Sequence, residues 1–474
     1  METSLQHSTT AVLDVGKTLS KLSFWSADGR LLDRHERPNA VIEQAGARRL
    51  DVAGIGDWLL ERLSSSAAPA PSTLVPVAHG AGVALLVGGQ LAAAPLDYEQ
   101  PPPPEVLEAY RAERDAFALT GSPLLPDGLN LGAQLYWLER QDRQAMQTAV
   151  LVPWAQYWSW FLSGVAGSEV TSLGCHTDLW NPGQRVFSPL ARRRGWDTRF
   201  APLRRADEVV GTLRPALADR TRLDRSVRVL CGLHDSNAAL LAAKGLPELA
   251  GRDATVLSTG TWFIAMRSPR EPSGPGALGG SPLPEGRDCL LNVDVEGRMV
   301  PSARFMGGRE LEMLLGGDTP LLDRETEQSA MLAAVPRILG RAICILPTLK
   351  PGTGPCPNSA GGWQNEPQDR IERAAAAAIY AALVADVSLD LIGARDILLV
   401  EGRFARCEVF VRALASLRCC TRVFTAELHD DVPLGALRLV HPDLAPANRL
   451  RPVHPLPVDL LQMRDRWRKQ MEAA

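Results

Sequence analysis

Of the 474 residues, eight are cysteines, at 175, 231, 289, 344, 356, 407, 419 and 420, and no two of them form a CxxC pair. Paired Cys/His spacing of the structural zinc type is missing too, so neither a metal ribbon nor a disulfide framework organises the chain. Thin cysteine usage fits free thiols in a reducing compartment. No charge of one sign dominates. Lys and Arg number 51, Asp and Glu 54, and the net charge is −3. A nucleic-acid footprint is therefore excluded, as is a basic membrane-binding patch. Apolar runs stay short of the roughly 18 residues that a membrane span requires. Residues 1–7 lack the basic start and apolar stretch of a signal peptide. The expectation is a cytoplasmic protein.

What is present is ordinary globular composition, 45% hydrophobic and 22% charged, which excludes disorder as the main state. The length exceeds one core and predicts two domains. Ala11–Asp14 and Lys21–Trp25 read as strands around the polar loop Asp14-Val15-Gly16-Lys17-Thr18. A helix is expected near 52–63, with Ile55, Leu59, Leu60 and Leu63 on one face. Aromatic residues concentrate at Trp154, Tyr157, Trp158, Trp160 and Phe161, at the helical spacing of a core face. Val227–Cys231 is a strand running into Gly232-Leu233-His234-Asp235 and a helix. Near 248–253 the chain starts over. Thr255–Ser258 is a strand, Thr259-Gly260-Thr261 a turn and Trp262–Met266 a strand, echoing the opening layout. Residues 371–392 form a long amphipathic helix, and Ile397–Val400 is a strand leading through Glu401-Gly402-Arg403-Phe404 into another helix. Strands followed by helices in both halves predict α/β domains.

Gly16-Lys17-Thr18 invites a nucleotide-loop reading that fails. The common phosphate loop needs a glycine five positions before the second one, and Ala11 stands there, in a hairpin and not before a helix. A hairpin glycine flanked by Thr and Lys still offers donors to an anion, and Thr259-Gly260-Thr261 offers the same chemistry in the second half. Each alone also reads as a plain turn. Asp14 and Asp235 both end predicted strands. One carboxylate beside phosphates suits Mg²⁺, another suits proton abstraction from a hydroxyl. Asp235 reads equally as a helix cap. Gly402, between strand and helix, permits close approach of a ribose or adenine, or simply makes a turn.

In their order, these segments resemble the FGGY carbohydrate kinases. The match rests on Asp14-Val15-Gly16-Lys17-Thr18 with Lys21, His79-Gly80, Gly232-Leu233-His234-Asp235, Ser258-Thr259-Gly260-Thr261-Trp262 and Val400-Glu401-Gly402-Arg403-Phe404. Arg304-Phe305-Met306-Gly307-Gly308-Arg309-Glu310 is similar to the L-fuculose and L-rhamnulose kinase branch. The resemblance implies an α/β fold of two RNase H-like domains, of the actin, hexokinase and Hsp70 superfamily, with an interdomain cleft. Residues 1–247 would carry the sugar site, the first phosphate loop and the catalytic aspartate. Residues 248–474 would carry the second phosphate loop, the adenosine site and the C-terminal tail.

It implies an ATP-dependent kinase acting on a ketose, with ATP and Mg²⁺ as cofactors. Asp235 would be the general base and Asp14 the metal ligand. Gly16, Lys17, Thr18, Lys21, Thr259, Gly260, Thr261 and Gly402 would bind ATP. His79, Gly80, Gln134, His234 and Asp235 would bind sugar, His79 by donating to a hydroxyl. The partner is a small-molecule sugar or polyol, with no nucleic acid and no membrane, and a homodimer is compatible with the family. Two features depart from it: Lys17 stands where many members have Thr or Ser, and the adenosine loop lacks a run of glycines. The departures leave a second reading, a catalytically silent regulatory protein of the same fold that binds nucleotide or sugar. A third is an actin-like ATPase coupled to a partner protein.

Overall fold

A computed structural model describes residues 8–270, 283–359, 361–426, 431–446 and 450–473. The chain folds into two compact units. Unit 1 comprises Met1–Pro247, Leu291–Met299 and Asp430–Ala447, and unit 2 the remainder. Two late segments thus join the N-terminal unit, which a single cut after residue 247 does not describe.

Unit 1 is built on a sheet of β1 (Thr10–Val15), β2 (Leu19–Trp25), β3 (Leu31–Pro38), β4 (Thr73–Ala78), β5 (Val209–Thr212), β6 (Arg228–Leu230) and β7 (Leu233–His234). From one edge the order is β3, β2, β1, β4, β6, β5, with β7 also pairing β4. β1 runs antiparallel to β2 and parallel to β4. Its residues are all buried, which a continuous apolar strand in the middle of a covered sheet requires. Helix α1 (Val52–Ser65) starts at Asp51, whose carboxylate accepts from the Gly54 amide at 2.9 Å. It buries Ile55, Leu59, Leu60 and Leu63, the face read from the sequence. Helix α2 (Leu131–Gln141) precedes the aromatic segment, itself a helix over Trp154–Ser163. Trp154, Tyr157 and Trp158 are almost wholly buried in the unit 1 core, the structural outcome of that aromatic density. Helix α3 (Asp235–Ala243) follows β7 directly.

Unit 2 repeats the plan. β8 (Ala254–Thr259) is antiparallel to β9 (Phe263–Ser268), which pairs with β10 (Met299–Phe305). On its other side β8 runs parallel to β11 (Ile397–Gly402), followed by β12 (Arg422–Thr425). Both units therefore share three antiparallel strands continued by parallel ones, which makes the sequence echo a topological repeat.

Helix α4 (Arg370–Leu391) corrects two expectations. It is buried almost all round, not on one face, because unit 2 packs helices against several of its sides. By length and composition it is also apolar enough to cross a membrane, although no such run was expected. With 89% of its apolar window buried, it has the burial of a core helix. Helix α5 (Glu408–Leu417) packs against it. Helix α6 (Asp431–Val440), from the late part of the chain, packs along α3 in unit 1.

Candidate functional site

In unit 1 the hairpin register sets Asp14, at the end of β1, directly opposite Lys21 on β2. Asp14 is buried, and burial first, then Asp235 and Asp431, raise its carboxyl to about 7 while Lys21 pulls it down. Asp14 and Asp431 both feel the Lys21 ammonium, and Asp235 adds its own negative charge to both. Asp431, at the start of α6, was not singled out in the sequence; nothing local marks it, since it reaches the site only because α6 lies on α3.

Asp235 is the first residue of α3. Its Oδ1 accepts from the Ser236 amide at 2.6 Å, from the Ser236 hydroxyl at 3.2 Å, and lies 3.3 Å from His234 Nε2. Burial raises its carboxyl above the usual range, opposed by His79 and the Ser236 bonds. Among the described residues these polar contacts all fall on Oδ1, which leaves Oδ2 available.

The two histidines divide their roles. Burial lowers both to about 4, so both rings are neutral near pH 7. His79 Nδ1 is 2.6 Å from the Gly80 carbonyl, an acceptor, so that nitrogen carries the proton. Nε2 is then a bare lone pair, buried and without a partner among the described residues. In this tautomer Nε2 can accept a hydrogen bond but not donate one, which differs from the donor role expected of His79. His234 has the opposite tautomer: Nδ1 faces the Asn237 amide nitrogen at 3.3 Å and Nε2–H points at Asp235. Gly80 allows this packing, because a Cβ there would stand 3.0 Å from His234 Nε2 and 3.2 Å from Cys175 Sγ. Gln134 is buried, its Nε2 donating to the carbonyls of Ala81 (2.7 Å) and Gly128 (2.6 Å), and so fastens the His79–Gly80 loop.

Lys17 turns away from the anion role its motif suggested. Its ammonium pairs with Asp97 and lies 3.5 Å from Glu99 and 5.0 Å above the Tyr98 ring. Tyr98 in turn packs edge-on against His79, ring centroids 5.3 Å apart. Asp97 is 1% exposed. The Asp97-Tyr98-Glu99 segment escaped the sequence reading because some eighty residues separate it from Lys17. The first loop is held by Asn39, also missed: its side-chain nitrogen donates to the Gly16 carbonyl (2.8 Å), its amide to the Thr18 carbonyl (2.9 Å), and its oxygen accepts from Ser20 (2.7 Å). The Gly16 amide closes the turn onto Leu19, and the Thr18 side chain is exposed.

A second support lies behind Asp235. Glu169 is fully buried and accepts from the Thr171 hydroxyl (2.5 Å), the Thr171 amide (2.9 Å) and the Ser172 amide (3.3 Å). The Thr171 hydroxyl in turn accepts from the His234 amide at 3.0 Å. Burial raises Glu169 to about 7.

In unit 2, Thr259, Gly260 and Thr261 form the β8–β9 turn. The Gly260 amide donates to Trp262. The buried Thr259 hydroxyl donates to the Glu401 carbonyl at 2.6 Å and accepts from the Phe404 amide at 3.1 Å, so it joins β8 to the end of β11. Thr261 is exposed. Gly402, at φ +83°, pairs with Thr259, and a Cβ would sit 2.3 Å from the Thr259 carbonyl oxygen. Only glycine fits there.

Among the described residues no group of three or more His, Cys, Asp or Glu is placed to hold a metal by itself. A divalent cation beside Asp14, whose carboxyl feels the charges of Asp235 and Asp431, would have to keep waters in its shell.

A family model for the C-terminal domain of FGGY carbohydrate kinases matches residues 251–448. A carbohydrate kinase from Novosphingobium aromaticivorans is 57% identical, with 97% of this chain and 100% of that one covered and a TM-score of 0.93. Xylulose kinase from Rhodospirillum rubrum is 17% identical over 98% of each chain (TM-score 0.78). Gluconate kinase from Lactobacillus acidophilus is 13% identical over 98% of this chain and 96% of that one (TM-score 0.76). These last two show the fold alone, that of two RNase H-like domains. No curated protein matches the chain. On the strength of the near full-length identity to the Novosphingobium kinase, the chain belongs to the FGGY family of carbohydrate kinases.

Proposed function

We propose that this ATP-dependent sugar kinase phosphorylates a hydroxyl of a ketose, L-fuculose, L-rhamnulose or a similar sugar, with Asp235 as general base. The observation that carries the base assignment is the arrangement around that carboxylate. One oxygen is held by Ser236 and His234, the other is left available, and burial raises its proton affinity. Similarity of residues 304–310 to the fuculose and rhamnulose branch supports the ketose class.

In this reading the sugar hydroxyl gives its proton to Asp235 Oδ2 as its oxygen attacks the γ-phosphorus. The new O–P bond forms as the bond to the β–γ bridging oxygen breaks, and ADP leaves. His79 Nε2 accepts a hydrogen bond from a second sugar hydroxyl. Lys17, through Asp97 and Tyr98, holds the wall against which His79 packs and so belongs to the sugar side. Lys21 supplies positive charge beside Asp14. Thr18 and Thr261, both exposed on their turns, are the hydroxyls offered to phosphates, with Gly16 and Gly260 shaping the turns. Gly402 brings backbone close to the nucleotide, and Thr259 acts by joining that loop to β8. Asp14 would hold Mg²⁺ through water, and the ion would neutralise charge on the transferring phosphoryl group.

The test is coupled ADP release with Mg·ATP over a panel of ketoses, aldoses and polyols. Sugar-dependent release is expected, strongest with a ketose. Asp235→Asn should lose about 10²- to 10⁴-fold in kcat, the usual worth of a general base, and still bind ATP. Wild-type turnover in that variant would refute the base assignment.

A further inference from the structure

Unit 1 also carries an open surface cavity of about 620 Å³ that none of the chemistry above uses. It lies where the C-terminal end of α2 meets the short helices at 143–148 and 189–193, and Arg140, Arg143, Arg193, Arg194 and Arg199 line it with a single acid, Glu139. Five guanidiniums around one cavity repel one another, and the chain as a whole is net negative.

Glu139 does not balance them. One of its oxygens accepts from Trp196 Nε1 at 2.7 Å and the other pairs with Arg194 at 2.9 Å. Arg193 is tied to Asp115 at 3.0 Å. Arg140, Arg143 and Arg199 have no side-chain hydrogen bond or ion pair among the described residues. Arg194 is held in place: its guanidinium lies 4.2 Å from the Tyr136 ring centroid and 5.8 Å from that of Trp196. Its Nε is buried and has no hydrogen-bond partner among the described residues. The cavity is thus a fixed arginine flanked by three uncompensated ones.

We propose that this cavity is a binding site for a compact polyanion carrying two or more phosphate groups. The guanidinium fork matches phosphate oxygens in pairs, and several forks around one cavity select more than one phosphate. The volume admits a metabolite-sized ligand. Arg194 already covers Tyr136 and Trp196, and Trp196 is 1% exposed, so no ring face is open to stack a nucleobase. The ligand is recognised by its phosphates, whether it is a phosphorylated sugar or a free polyphosphate.

The test is calorimetric titration of the full chain with inorganic pyrophosphate at low ionic strength. The wild type is compared with the Arg140→Gln/Arg143→Gln/Arg199→Gln triple variant and the corresponding triple lysine variant. The glutamine variant should bind at the cavity about tenfold more weakly or not at all, with kcat and the KM for ATP unchanged. The lysine variant should be intermediate, because charge remains and the fork is lost. Pyrophosphate held elsewhere in the molecule would appear equally in all three proteins. Titration with orthophosphate and with a sugar bisphosphate separates the two ligand sources. Equal binding by all three proteins, or no binding by the wild type, would overturn the proposal. If the glutamine variant does not fold, the lysine variant decides the question.

Discussion

Replacing Glu169 by Gln should stabilise the protein at neutral and higher pH and leave it unchanged in acid. Glu169 is fully buried, and its carboxyl is raised from 4.5 to about 7 chiefly by loss of water, against three hydrogen bonds that favour the charged form. Between these two values the folded chain holds a proton that the unfolded chain has released. Its contribution to stability is therefore complete below about pH 4.5 and is lost as pH rises through about 7. The rise corresponds to about 3 kcal/mol at one pKa unit per 1.36 kcal/mol. Glutamine keeps the oxygen that Thr171 and Ser172 donate to, and it cannot ionise. The difference between variant and wild type should thus be near zero in acid and grow to about 3 kcal/mol in favour of the variant above pH 7. Urea midpoints read by tryptophan fluorescence at several pH values would follow it, since Trp154 and Trp158 lie in the same unit. Parallel pH curves for the two proteins would refute the reasoning. Loss of stability in the variant at every pH would do so as well, by showing that the carboxylate form is preferred in the fold.

Lys17→Met should raise the KM for sugar more than the KM for ATP, because the ammonium is engaged with Asp97 and Tyr98; a selective rise in the ATP KM would refute the sugar-side assignment. The same change leaves the buried Asp97 with Arg48, at 3.5 Å, as its remaining cation beside the Glu99 amide at 3.1 Å, so Lys17→Met/Asp97→Asn should recover thermal stability lost in the single variant. Thr259→Val should destabilise by about 1–3 kcal/mol per buried partner left unpaired, here the Glu401 carbonyl and the Phe404 amide, and scanning calorimetry would register it. Turnover should rise with pH through a midpoint above the ordinary carboxylate range, since burial raises Asp235 and only its ionised form accepts a proton. A kcat/KM profile already flat below that range would contradict this.

Much of the fold was legible because its signals are local. The strand of β1, the apolar face of α1 and the strand–turn–strand echo at Thr259-Gly260-Thr261 depend on residues a few positions apart, where periodicity and turn chemistry act. Asp14, Asp235, His79 and Gly402 stand where the sequence placed them, each at the end of a strand or in the loop beyond it. α4 misled because alanines suit one exposed face as readily as a fully covered helix; its burial is decided by neighbours far away in sequence.

The direction of each side chain was not legible. Lys17 and Lys21 stand four residues apart in one loop motif, yet Lys21 faces Asp14 across the hairpin while Lys17 meets Asp97. His79 is an acceptor only because the Gly80 carbonyl occupies Nδ1 and burial removes its charge. The sequence alone determined the family, the duplicated α/β plan and the order of the chemical groups, since these are encoded in short contiguous segments. Tertiary structure alone decided that Asp431, Glu169, Asn39 and Asp97 support those groups, and that five arginines line one cavity, because burial, hydrogen-bond direction and charge crowding arise only when distant segments come together.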